Sequence, residues 1–272
     1  MPINIEDEPI MSSDKILGRV EDGVGHIVFN NPEKRNAVSL DMWRRVSELL
    51  DEYENDPAVR LVVLSGAGGK AFVSGADVSK FDSERATAEA VAEYARVTGE
   101  TYNKLQDFPK PTIAKINGYC VGGGVALAVC CDIRICEEGS RFSVPAAKLG
   151  LGYQAKYVKR LTDIVGPSYT KEIFYTARLF DAAEAKAMNL VNRVVPLDQL
   201  DAYVADYAER ISANAPLTIL ALKAAVNELV KDAGERDMDR AEAMVDACFR
   251  SNDYQEGRRA FLEKRKPEFT GT

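Results

Sequence analysis

Apolar and polar residues alternate through residues 15–30, with Ile16, Val20, Val24, Ile27, Val28 and Phe29 on the apolar side of the pattern. A period of two marks half-buried strands, and Glu21-Asp22-Gly23 supplies a turn, so the segment predicts a β-hairpin ended by Asn31-Pro32. The period then lengthens. Ser39 stands as a cap before Met42, Trp43, Val46, Leu49 and Leu50, which share one helical face. Residues 60–65 and 71–73 are short apolar runs that read as strands, and 86–107 is a polar, Ala-rich helical stretch stopped by Pro109 and Pro111. Residues 112–116 predict another strand, and Gly122-Gly123-Gly124 leads into an apolar helix over 125–130. Residues 133–136 and 141–143 predict two more strands. From Tyr153 the pattern is helical over about 153–164, 167–176, 182–188, 198–213, 216–232, 236–250 and 253–264, with one strand at 191–195.

Strand, strand, helix recurs through the first half, which predicts an α/β fold of stacked ββα turns wound as a spiral. The helical second half predicts a separate helical region. The division that follows is a loose arm over 1–13, a spiral core over 14–196 and a helical region over 197–272. Met11 is a second candidate start.

Composition narrows the chemistry. The 272 residues carry 35 basic and 42 acidic side chains, a net charge of −7, which argues against a nucleic-acid partner. No apolar run reaches the roughly 18 residues of a membrane span. The start is acidic and lacks the apolar stretch of a signal peptide. Cys120, Cys130, Cys131, Cys136 and Cys248 are odd in number and contain no C-x-x-C pair, which predicts reduced thiols, a cytoplasmic setting and no metal site. The one histidine, His26, lies mid-strand and reads as structural rather than as a base. With histidine nearly absent, an acid–base enzyme would draw on Asp or Glu.

Gly66-Ala67-Gly68-Gly69-Lys70-Ala71 fits G-x-G-x-x-A, but extended residues follow it where a dinucleotide site needs a helix, so it reads as a turn. A nicotinamide-dependent dehydrogenase is therefore a poor fit. Ala71 also replaces the Ser or Thr of a phosphate-binding P-loop, and no G-x-S-x-G elbow exists. Two other segments are more informative: Phe72-Val73-Ser74-Gly75-Ala76-Asp77-Val78, and Asn117 to Ala128 with its three glycines. Each places small residues between a strand and a helix start, where backbone N–H groups lack partners. Two such ends across one pocket make an oxyanion hole, suited to charge developing on a thioester carbonyl.

In Asn31-Pro32-Glu33-Lys34-Arg35-Asn36-Ala37, Ser74-Gly75-Ala76-Asp77-Val78, Pro111 to Gly118, Gly122-Gly123-Gly124 and Glu256 to Arg265, the chain resembles the enoyl-CoA hydratase/isomerase (crotonase) superfamily over about residues 15–269. The resemblance implies a crotonase-like spiral with a C-terminal trimerisation region, and oxyanion amides at Ala76 and Gly123. It implies a coenzyme A surface comprising Arg35, Ala37, Ala76, Asp77, Val78 and Gly123. Phe261 and Lys264 match tail positions that close this surface, often from a neighbouring subunit. A coenzyme A thioester is the implied substrate, no cofactor is permanently bound, and a homotrimer or dimer of trimers is the implied assembly.

One departure bears on the reaction. The two glutamates with which hydratases of the superfamily add water fall on Ala126 and Ala146. Alanine neither gives nor takes a proton, so ordinary hydration is not expected. Tyr153 and Gln154 are the weak substitutes nearby, beside Asp82, Glu84, Glu89, Glu93, Glu100 and Tyr102 in the segment covering the acyl pocket. The readings are an acyl-CoA lyase or isomerase, including decarboxylation or retro-type cleavage, and a non-catalytic acyl-CoA-binding relative.

Overall fold

The computed structural model describes residues 12–80 and 86–272. The hairpin forms as expected, with β1 (Ile16–Glu21) antiparallel to β2 (Val24–Phe29). Helix α1 (Leu40–Asn55) follows and buries Met42, Trp43, Val46, Leu49, Leu50 and Tyr53. Ser39 occupies its N-cap, yet its hydroxyl makes no capping bond. The next helix, α2 (Ala88–Gln106), does have a side-chain cap, Thr87 accepting from the Ala90 N–H.

Each turn of the spiral gives one strand to each of two sheets. β3 (Leu61–Gly66), β5 (Thr112–Ile116), β7 (Ile133–Glu137) and β10 (Arg193–Val195) join the hairpin in the order β1-β2-β3-β5-β7-β10. β4 (Ala71–Val73), β6 (Tyr119–Val121), β8 (Arg141–Ser143) and β9 (Phe180–Asp181) form the second sheet in that order. β3–β4–α2 and β5–β6–α3, where α3 is Gly123–Ala128, are successive ββα turns. Neighbouring strands contributed by successive turns run parallel, as a spiral of one hand requires.

Both faces of the larger sheet are covered, so β3 is apolar at consecutive positions instead of alternating. Val62 and Leu64 face the main core, with Phe29, Trp43, Phe72 and Phe142. Leu61 and Val63 face a second cluster, in which Leu200, Val204 and Ala208 of α6 (Leu200–Ser212) pack against Ile113 and Ile135. The first helix after residue 197 therefore packs directly on the spiral's sheet.

Between these, α4 (Ala155–Thr176) contains the two expected helices, which meet at a kink. Gly166, at φ +77°, breaks the helical backbone just before Pro167. α5 (Ala182–Ala187) opens with a capping box between Asp181 and Glu184. The chain ends in α7 (Pro216–Leu229), α8 (Met238–Arg250) and α9 (Asn252–Glu263). Buried Asp253 accepts the N–H groups of Thr270 and Gly271, fastening the tail back onto α9. Among the described residues, no helix is long and apolar enough to cross a membrane.

Gly66-Ala67-Gly68-Gly69 is a turn into β4, with Gly68 and Gly69 at positive φ, and no helix opens there. The five cysteines are free thiols and all but Cys248 are buried.

Candidate active site

A cleft of about 460 Å³ opens between α2, the start of α3 and the segment before α4. Ala76 and Gly123 both line it.

Val38 fixes the first of these. Its N–H donates to the Gly75 carbonyl at 2.9 Å, and its carbonyl accepts the Asp77 N–H at 3.0 Å. Successive N–H groups of an extended chain point to opposite sides, so the Ala76 N–H faces away from Val38. The Gly123 N–H opens α3, where no intrahelical acceptor exists. Neither N–H donates to another group among the described residues. The two backbones adjoin closely enough that a Cβ at Gly75 would sit 3.7 Å from the Gly123 nitrogen. Gly75 also has φ +108°, a conformation for which glycine is needed. Gly124 is required for another reason: a Cβ there would sit 2.1 Å from the Val73 carbonyl oxygen.

Several buried groups hold this frame. The Tyr102 hydroxyl donates to the Gly123 carbonyl at 3.2 Å. Burial pushes the Tyr102 phenol well above its ordinary pKa, so it remains a donor. At the other end of α3, the buried Arg134 guanidinium donates to the Cys131 carbonyl at 2.6 Å and the Leu190 carbonyl at 2.8 Å. Burial raises Asp77, but hydrogen bonds from Ser79 and Lys34 and the Lys34 charge outweigh it, and its pKa falls below the usual carboxylate value. The Lys34–Asp77 ion pair, at 2.9 Å, ties the Gly75-Ala76-Asp77 segment to the loop of residues 31–37. Asn36 locks that second loop, donating to the carbonyls of Ala67 and Ala71.

Arg35, at φ +51°, lies outside the cleft lining with its guanidinium 5.0 Å from the Tyr119 ring centre. Ala37 is buried beside it. Val78 opens the short turn Val78–Lys80, and its side chain lies outside the described set. Asp82 and Glu84 lie outside the described residues as well. Glu89, Glu93 and Glu100 do not line the cleft; Glu93 and Glu100 pair with Arg96 on the outer face of α2.

Ala126 and Ala146 are both in the cleft wall, as Gly123 is. Tyr153 and Gln154 line it too, with Tyr153 edge-on to Phe174 at 5.0 Å and Gln154 exposed. Among the described residues, the lining contains no Asp, Glu, Lys, Arg, His or Cys. Its aromatic groups are Trp43, Tyr94, Tyr102, Tyr153 and Tyr157. The sequence pattern placed Trp43 in the core without showing that it also walls the cleft. His26 is remote, and burial together with the Arg19 charge lowers its pKa. Cys130, whose thiol donates to the Ala126 carbonyl at 3.1 Å, is pushed up to about 11 by burial and stays a thiol.

Phe261 and Lys264 are not brought to this cleft within one chain. Phe261 is 83% exposed and lines a different, apolar groove of about 620 Å³ between α7, α8 and α9. Lys264 caps α9 in a left-handed conformation.

Comparison with known proteins bears on what such a cleft holds. The sequence model of the Enoyl-CoA hydratase/isomerase family matches residues 19–272. A crotonyl-CoA hydratase from Syntrophomonas wolfei is 33% identical over 259 residues, covering 95% of this chain and 99% of the relative. A Delta(3,5)-Delta(2,4)-dienoyl-CoA isomerase from Arabidopsis thaliana is 32% identical, covering 93% and 95%. Among solved structures, an enoyl-CoA hydratase/carnithine racemase from Magnetospirillum magneticum superposes with TM-score 0.88 at 38% identity, covering 95% of this chain and 96% of its own.

Proposed function

The chain belongs to the enoyl-CoA hydratase/isomerase family, and from that premise we propose that it binds an acyl-CoA thioester with the carbonyl oxygen between the Ala76 and Gly123 N–H groups. Family membership supports acyl-CoA processing by an enzyme of the crotonase type. The observation that carries the finer reading is the pair of adjoining N–H groups, neither with an acceptor among the described residues, in the wall of one cleft. Donors placed there favour the enolate over the thioester, because charge on the oxygen grows as the enolate forms.

Ala126 and Ala146 set the limit on the reaction. Hydration across a conjugated double bond needs a group to activate water and a group to deliver a proton, and methyl groups do neither. The reaction proposed is therefore one in which the oxyanion hole does most of the work, such as decarboxylation, isomerisation or retro-type cleavage of the acyl group. Tyr153 and Gln154 are the residues positioned to steer a proton or a water. The coenzyme A thioester enters as the substrate rather than as a resident cofactor, with the loop of Arg35 and Ala37 and the Asp77–Val78 stretch on the coenzyme side. The exposed apolar residues Leu222, Val226, Phe249, Phe261 and Leu262 support self-association through the C-terminal helices. A homotrimer or paired trimer would let Phe261 and Lys264 reach a neighbouring coenzyme site.

The lack of charged groups in the described cleft wall also favours a second reading, a relative that binds acyl-CoA without turning it over. Titration calorimetry with a panel of acyl-CoAs, followed by product analysis of each incubation, separates the two. Binding with turnover of a decarboxylatable or isomerisable thioester supports the enzyme. Binding without any turnover supports the carrier. No binding by any thioester refutes both.

A further inference from the structure

Arg134, on β7, is 6% exposed and holds its guanidinium at the C-terminal end of α3. Nη1 donates to the Cys131 carbonyl at 2.6 Å and reaches the Ala128 carbonyl, on the last residue of the helix, at 3.5 Å. Nε donates to the Leu190 carbonyl at 2.8 Å. All three acceptors are neutral. Among the described residues no carboxylate pairs with this guanidinium: the adjacent Asp132 accepts from Lys223 at 2.7 Å and from Thr112. Burial pushes the neighbouring Cys130 and Cys131 thiols up, so they carry no charge near neutral pH. Arginine keeps its charge even when buried. One positive charge therefore stands behind α3 with no anion beside it.

Such a charge is costly to bury. A neutral donor would cap the same carbonyls, so capping alone does not call for a cation. The other end of α3 offers a use for it. Carbonyls in the last turn of a helix carry partial negative charge, which weakens the positive potential at its N–H end. In α3 the two ends are close, since six residues rise only about 9 Å. The guanidinium offsets those carbonyls and adds its own charge, roughly 12 Å from the Gly123 N–H. Gly124, Val125, Leu127 and Ala128 are buried, so little water screens the field along the helix.

Resting on the acyl-CoA reading above, we propose that Arg134 is a positioning residue that acts by charge: through α3 it raises the positive potential at the Gly123 N–H and so favours the enolate over the thioester. At an effective dielectric of about 20, a unit charge at that distance shifts the balance by up to roughly tenfold. The ground-state thioester gains much less, because its oxygen carries little charge.

The test removes the charge and keeps the shape. Citrulline incorporated at position 134 by a suppressor tRNA retains donors equivalent to Nε and Nη1 and carries an oxygen in place of the other amino group. The probe is hexanoyl-CoA labelled at the thioester carbonyl carbon. Its affinity, by calorimetry, should change less than about twofold, while its bound carbonyl stretch should rise toward the solution frequency. Any turnover found with an acyl-CoA panel should lose roughly three- to tenfold in kcat with KM nearly unchanged. A residue that merely holds α3 in place would leave the citrulline protein like the unaltered one in stretch and kcat, and that result overturns the proposal while the acyl-CoA reading stands. If the citrulline protein does not fold, Arg134→Lys and Arg134→Gln take its place at pH 6. The Lys variant should then show the lower carbonyl frequency of the two, and equal frequencies overturn the proposal. If hexanoyl-CoA does not bind the unaltered protein, the acyl-CoA reading fails, and this inference with it.

Discussion

Replacing Ala126 and Ala146 with glutamate together tests whether those two positions are where proton transfer is missing. Both alanines line the same cleft as Gly123, and Ala146 is 5% exposed. A carboxyl group at either site would meet apolar and aromatic neighbours and no described cation, so its pKa should rise, which suits a proton donor near neutral pH. One general acid or base contributes about 10²–10⁴ in rate, or roughly 3–5 kcal/mol. Groups that act as a unit do not add, so the double variant should gain roughly 10³–10⁵ over the unaltered chain and far more than either single change. The assay is loss of the conjugated enoyl absorbance of crotonyl-CoA, with folding checked by circular dichroism and binding by calorimetry. The reasoning is refuted if the unaltered protein already hydrates crotonyl-CoA at an ordinary enzymatic rate of about 1–10³ s⁻¹. It is equally refuted if a folded, acyl-CoA-binding double variant gains nothing.

Other predictions follow from the frame around the cleft. Gly75→Ala forces a side chain onto φ +108° with its Cβ 3.3 Å from the Val121 carbonyl oxygen, so it should displace the Ala76 N–H. Loss of that one donor should slow whatever turnover the acyl-CoA panel reveals by about 10²–10³. Tyr102→Phe removes the bond to the Gly123 carbonyl and should lower kcat more than it raises KM, which steady-state kinetics would show. Asp77 gives a pH signature. Its pKa is lowered in the fold, so its contribution to stability is complete above the unfolded carboxylate pKa and is lost as pH falls through the folded value. Urea titrations should therefore find Asp77→Asn less stable than the unaltered chain near pH 6, with the gap closing in strong acid; a gap independent of pH would contradict the ion-pair role.

Much of the fold was legible because the local patterns and the tertiary demands agree. The hairpin of residues 16–29 and the amphipathic α1 follow from the spacing of their apolar residues. The helices 153–164 and 167–176 were separable in sequence for the same reason that α4 kinks, the Gly166-Pro167 pair. What escaped was short. β6 is three residues set between Gly118 and Gly122, and β9 is two residues; neither is long enough to show a period. Ser39 had the identity of a cap without the bond.

At the site, the glycine segments announced the paired N–H groups because glycine leaves a backbone exposed. The meaning of Ala126 and Ala146 came only through resemblance, since nothing in an alanine signals a missing acid. Trp43 was hidden by its own periodicity. It fits the buried stripe of α1, and only the packing of Tyr102 and Tyr157 shows that the stripe ends at a cleft. Phe261 and Lys264 matched the pattern of the tail, yet in a single chain Phe261 lines another groove and Lys264 caps α9.

The placement of a thioester carbonyl between Ala76 and Gly123 can be tested without knowing the reaction. Isotope-edited infrared difference spectra of hexanoyl-CoA labelled at the thioester carbonyl carbon report the polarisation of that bond directly. The carbonyl stretch should fall to lower frequency on binding to the unaltered protein, and the fall should be smaller in Gly75→Ala. A bound thioester whose carbonyl stretch stays at its solution frequency would contradict the assignment of the two N–H groups as an oxyanion hole.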